Sequence, residues 1–208
     1  MTQYRRNNMW ARVESDTVTN IYTRPKALTI GDTNYPANIF SMWTSAELEA
    51  KGIYGVVIDN TNLKSGEYYT NTDQTFAFAS GTVTASYGTA TARAIADTLW
   101  TAQDETDGHG TEGEVASRGL KYNHKVRINE GAAGLLQATD WYTLRAASGG
   151  TAIPSSVSTH QAAVRTKANA MCTLITNAAN VDALAALYVY NSATPAVRPL
   201  GEFPKLGE

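Results

Sequence analysis

Near Gly88 the period of the chain changes. Before that point, short β-branched and aromatic runs alternate with Gly, Asn, Asp and Pro; beyond it, apolar residues recur at the spacing of a helix face. A chain of 208 residues that keeps its strands and helices apart in sequence is expected to be α+β, with an N-terminal antiparallel β-rich region and a C-terminal small helical bundle. The expected division is a β-rich domain over 1–88 with one short helix, a helical module over 89–190 containing a Gly-rich loop at 103–119, and an extended tail over 191–208.

The strand signals are local. WARVESDTVTNIYT places Ala11 and Val13, then Val18 and Tyr22, on either side of the polar turn Ser15-Asp16. ALTIGDTNYP and GIYGVVIDN follow, each bounded by Gly, Asn or Pro, and the runs TFAFA and TVTASY flank Ser80-Gly81, where glycine supplies a turn conformation that other residues resist. Within SAELEAK, Thr44 and Glu47 have the spacing of a capping box and Gly52 is placed to end the helix.

Helical spacing predicts a first helix over about Thr89–Ala102, with Ala92, Ile95, Ala96 and Leu99 on one face. A second runs from about Leu120 to Gln137, weakened at Gly131 and Gly134. A third starts after Pro154-Ser155-Ser156, with Val157, Val164, Ala168, Met171, Leu174 and Ile175 on one side, and VDALAALY forms a last short one. The tail, with Pro195, Pro199 and Pro204, has no period and is expected to lie extended on another surface, a partner's included. There is no repeat of 20 to 50 residues and no long heptad run.

Composition excludes several classes. With 17 basic against 19 acidic residues there is no basic excess to neutralise a phosphate backbone or an anionic membrane, so neither nucleic acid nor membrane is an expected partner. The N-terminal MTQYRRNNMW lacks the apolar run of a signal peptide, and no stretch approaches a spanning helix, so synthesis and retention in a cytoplasm are expected. Cys172, the single cysteine, sits in an apolar helical pattern and is expected to act as a small buried hydrophobe.

The chemical motifs are sparse. Glu105, Asp107 and Glu114 fall at the third, fifth and twelfth positions of a calcium-loop register that opens on Gln103, a weaker ligand than the usual Asp; the alternative is a solvated, mobile connection. His109, His124 and His160 are far apart, form no zinc-protease pair, and are expected at surfaces or interfaces. The serines of ASGGT and PSSVS lie in no G-x-S-x-G, and the phosphate-binding glycine motifs are absent. No cofactor and no catalysis are expected. Four tryptophans and eleven tyrosines leave room for a sugar-stacking platform, with Tyr68, Tyr69 and Tyr87 as the glycan-contact candidates.

Ala138–Ile175, ATDWYTLRAASGGTAIPSSVSTHQAAVRTKANAMCTLI, carries Thr139, Asp140, Trp141, Tyr142 and Arg145, then Gly150, Thr151, Ile153 and Pro154, then Arg165. This succession resembles a C-terminal module of tail-fibre-associated and virion structural proteins of tailed phages, departing from it at Gln161, where the family carries an arginine. Asp32–Val57, DTNYPANIFSMWTSAELEAKGIYGVV, is similar to an element that often precedes that module, and the two with the region between them span roughly two-thirds of the chain.

The resemblance implies a non-catalytic structural component of a bacteriophage tail, in the virion, contacting other tail or fibre proteins and assembling as a trimer or hexameric arrangement. Its alternatives are a tail-fibre assembly chaperone and a glycan-binding tip module for host attachment. Asp140, Trp141, Arg145, Pro154 and Arg165 are then expected to determine the fold: Asp140 capping a turn, the indole packing on the following helix, and Pro154 with Ser155 or Ser156 setting that helix's start.

Overall fold

The computed structural model describes residues 9–207, so most of the N-terminal segment read for a signal peptide lies outside the described residues. The chain is α+β and divides into two compact units, one ending at Thr91 and one beginning at Ala92. The 191–208 tail belongs to the second unit.

In chain order the first unit contains β1 (Trp10–Glu14), β2 (Thr17–Tyr22), β3 (Leu28–Ile30), β4 (Thr33–Tyr35), α1 (Ile39–Met42), α2 (Ser45–Glu49), β5 (Ile53–Asp59), β6 (Tyr69–Thr70), β7 (Gln74–Ala79) and β8 (Thr82–Tyr87). β9 (Thr91–Ala92) falls at the boundary. The main sheet has the order β2-β1-β5-β8-β7. Its two hairpins turn as their residues dictate: Ser15 and Asp16 have φ of 48° and 60°, and Ser80 and Gly81 have 49° and 76°. Two consecutive positive values make the tight turn whose twist matches that of the flanking strands.

The sheet is not wholly antiparallel as expected. The first half of β5 runs antiparallel to β1, pairing Ile53 with Arg12, whereas its second half runs parallel to β8, pairing Val56 with Val83. β5 therefore belongs to two ladders, and its side chains enter two cores. Val56 joins Ala11, Val13, Val83 and Ala85. Ile53 joins Tyr22, Ile39, Phe40 and Leu48, with Trp10, Tyr35 and Trp43 packed around them. The capping box is present at α2, with Thr44 and Glu47 each bonding the other's backbone N–H, and the Gly52 N–H donates to the Glu49 carbonyl to close the helix.

The second unit contains β10 (Thr98–Leu99), α3 (Ala102–Thr106), β11 (Val115–Ser117), α4 (Leu120–Gln137), α5 (Asp140–Ala147), α6 (Ser155–Asn177) and α7 (Val181–Ala186). Leu120, Ile128 and Ala132 of α4, Val164, Ala168, Met171 and Ile175 of α6, and Leu184 of α7 form its buried face. Leu174, expected on that face, is exposed.

The helix expected over Thr89–Ala102 does not form. Gly119, the residue before α4, has no side chain to cap it, so the first N–H groups of α4 take partners from elsewhere. Leu120 N–H donates to Ala94 O and Lys121 N–H to Ile95 O, at 2.9 and 3.0 Å. The Asp97 carboxylate accepts from the Gly119 N–H at 2.8 Å and from the Arg118 guanidinium at 2.6 Å. Carbonyls spent on α4 cannot support a helix of their own.

The Gly-rich 103–119 segment carries regular structure of its own. Thr101 and Asp104 form a second capping box at α3, and the backbones of Trp100 and Glu114 bond as β10 and β11 pair. The tail lies on its own unit, not on another surface. Leu200 is fully buried with its N–H on the Leu187 carbonyl, and the Arg198 guanidinium sits over the rings of Tyr188 and Tyr190 at 5.8 and 5.3 Å. Glu202 accepts from the Tyr190 hydroxyl and from Arg198; the first bond, then the second, hold its carboxyl below the usual range.

The Asp97 carboxyl is held below its ordinary value of 3.8, first by the Gly119 N–H and then by Arg118. A carboxyl with a lowered folded-state pKa contributes stability above the unfolded value and loses it as pH falls through the folded one. Wild type is therefore expected to lose more melting temperature between pH 6 and pH 3 than Asp97→Asn, whose amide oxygen still accepts from Gly119. Glu47, Asp59, Asp104 and Glu202, also lowered, affect both proteins alike. Parallel melting curves for the two proteins across that window would disprove the assignment.

Candidate functional site

The resemblance segment is brought together around α5. Thr139, immediately before it, is buried, and its hydroxyl donates to the Leu136 carbonyl at 3.0 Å. Gln161 of α6, also buried, donates from Nε2 to Thr139 Oγ1 at 3.0 Å and to the Thr139 carbonyl at 3.4 Å. This joint ties the start of α5 to the second turn of α6. At the other end, Arg145 donates from Nε to Thr151 O and from Nη2 to Ala152 O, at 3.3 and 3.4 Å, clamping the turn that leads to α6.

Between these anchors α5 presents an aromatic surface. Trp141 and Tyr142 have ring centroids 3.8 Å apart at 31°, and the Arg145 guanidinium lies 4.9 and 5.2 Å from their centroids. Trp141 is 49% exposed and neighbouring Leu144 is 68% exposed. The indole, expected to pack on the following helix, leaves about half its surface exposed, and Arg145 holds the local fold. Asp140 is the first residue of α5, where its charge complements the helix dipole, but its side chain makes no cap. Pro154 precedes α6 and its carbonyl accepts from the Val157 and Ser158 N–H groups, so the helix starts where expected without a side-chain cap. Arg165 is exposed on α6.

The other candidates assemble less. Glu105 accepts from the Glu112 N–H, Asp107 from Gln103 Nε2, and Glu114 contributes backbone bonds to Trp100 and Thr111. Among the described residues no three or more His, Cys, Asp or Glu side chains converge as a metal site would require, so Glu105, Asp107 and Glu114 do not form one. Tyr68 is buried, which removes its ring from a stacking platform. Tyr69, with the Lys64 ammonium 6.0 Å from its ring centroid, and Tyr87 are half-buried.

Two histidines expected at surfaces or interfaces are buried within the second unit. His124 is enclosed, with Nδ1 2.7 Å from the Tyr188 hydroxyl, and His160 is 8% exposed on α6. Their sequence positions carry the signal in retrospect: His124 shares its face with Leu120 and Ile128, and His160 with Val157 and Val164. Cys172 is half-buried, and burial pushes its thiol up, in keeping with an inert residue.

Breaking the buried joint has a defined cost. Gln161→Leu leaves the Thr139 oxygens short of a donor and is expected to destabilise the second unit by about 1–3 kcal/mol. Adding Thr139→Val to it is expected to cost less than the sum of the single changes in a denaturant-unfolding cycle, and strict additivity would refute the coupling.

No protein-family model, curated protein or solved structure matches the chain.

Proposed function

We propose that this chain is a non-catalytic structural component of a phage tail, associated with the fibre or baseplate, that acts through protein contacts. The observation that carries the reading is the Trp141–Tyr142–Arg145 stack on α5, in which Trp141 is exposed and Tyr142 and Arg145 are half-buried. Trp, Tyr and Arg are the residues that dominate interface energetics, and here they lie within the phrase that carries the family resemblance. The Gln161–Thr139 joint and the Arg145 clamp fix the helix that bears them, so little side-chain and loop ordering remains to be lost on docking.

The test is quantitative mass spectrometry of purified particles of the encoding phage, made with wild type and with Trp141→Ala. The expected result is a stable copy number in multiples of three or six relative to a known tail protein. The variant, losing an exposed anchor, should fold normally but occupy particles about 30-fold less at limiting concentration. Absence of the wild-type chain from finished particles would replace this reading with that of an assembly chaperone.

A further inference from the structure

Beside the α4–α6 contact lies a groove of about 310 Å³. Its walls are Leu135 and Ala138 at the end of α4, His160 of α6, and Phe203, Pro204 and Leu206 of the tail. The volume is that of a small-ligand site rather than of a water or two, and the lining is apolar apart from a few groups, as such sites usually are. One of those groups is incomplete: Nδ1 of His160 is buried without a hydrogen-bond partner. A buried polar nitrogen left unpaired is costly, and close-packed proteins rarely retain one.

We propose that the groove is a binding site for a small apolar molecule bearing one hydroxyl, a phenol or a medium-chain alcohol, whose hydroxyl completes the hydrogen bonding of His160. A hydroxyl suits either tautomer of the imidazole, because it both donates and accepts. The ring or chain of the ligand lies against Leu135, Phe203 and Leu206, and Lys205 stands at the same groove. Nδ1 has almost no accessible surface, so a ligand reaches it by displacing one wall. Two walls are helices bound into the core; the third is the Phe203–Leu206 segment, where Leu206 is exposed and no helix or strand forms. That segment is the door, and Phe203 closes it against Gly131, 3.4 Å from where a β-carbon would stand.

The test uses the full chain with p-cresol as the probe and toluene as its hydroxyl-free counterpart. Imidazole resonances of His160, assigned by comparison with His160→Leu, are followed by NMR during each titration, and backbone exchange of residues 203–206 is followed by mass spectrometry. Saturable shifts at His160 with p-cresol, binding roughly tenfold tighter than toluene, and altered exchange confined to the tail segment are expected. Equal affinity for toluene would show that no hydroxyl is read. Unshifted His160 resonances at millimolar p-cresol would show that the groove holds water alone. Either result overturns the proposal; should His160→Leu fail to fold, the imidazole of His160 is assigned on wild type by through-bond correlation to its own backbone.

Discussion

Gly119→Ala is expected to destabilise the second unit by about 3 kcal/mol, at the upper end of what an inserted methyl costs in a packed region. A β-carbon there would stand 2.2 Å from the Ala96 carbonyl oxygen, 2.3 Å from its carbon and 2.8 Å from the Asp97 nitrogen. All three are backbone atoms of the segment whose carbonyls cap α4, so relief requires moving Ala94–Asp97 and releasing the bonds to Leu120, Lys121 and Gly119 together. Gly134→Ala provides the contrast within the same helix. Its added carbon meets nothing within 4 Å, and it should leave stability unchanged or raise it by up to about 1 kcal/mol through helix propensity. Thermal melts followed by circular dichroism separate the two variants. A Gly119→Ala protein that melts with wild type would mean that α4 does not depend on this crossing.

In the first unit the comparable expectation is Ile53→Ala, with a loss of about 2–5 kcal/mol. Ile53 is 0% exposed and is the one member of its core cluster that comes from the central strand β5; Tyr22, Ile39, Phe40 and Leu48 close around it from β2, α1 and α2. Those neighbours are fixed by separate elements, which hinders their collapse into the space left behind. Met42→Ala, at a side chain 73% exposed beside the same cluster, should stay within about 0.5 kcal/mol of wild type. Denaturant unfolding read by the fluorescence of Trp10 and Trp43, which pack on the cluster, measures both. A loss below about 1 kcal/mol for Ile53→Ala would show that the pocket refills.

The hairpins, the capping box at Thr44 and the helices from Leu120, Pro154 and Val181 were legible in sequence because each is specified by neighbours in the chain. Two positive-φ residues make the turn at Ser15-Asp16, and a hydroxyl three residues before a glutamate makes the start of α2. What escaped reading is held by distant partners. Ala92, Ile95, Ala96 and Leu99 have helical spacing, yet the segment's carbonyls serve α4 more than twenty residues away. The parallel half of β5 is set by its neighbour β8, which no local period reveals. At the candidate site the aromatic and arginine residues were visible in the sequence but not their placement. Trp141 was expected to pack on the following helix, yet about half of it is exposed; Gln161, a polar residue at the same helix face as Val157 and Val164, was the better marker of an interior contact.

The split pairing of β5 also sets the order in which the first unit can assemble. Each hairpin closes over a turn of two residues and needs nothing else to form, on the microsecond scale of such events. Joining them waits on β5, which must meet Ala11 through Tyr54 on one side and Val83 through Val56 on the other, contacts separated by long stretches of chain. Loop closure over those distances costs entropy before any packing repays it. Refolding of this unit should therefore be limited by the capture of a single strand between two preformed ribbons, and substitutions in β5 should slow it more than equal losses of stability placed at either turn.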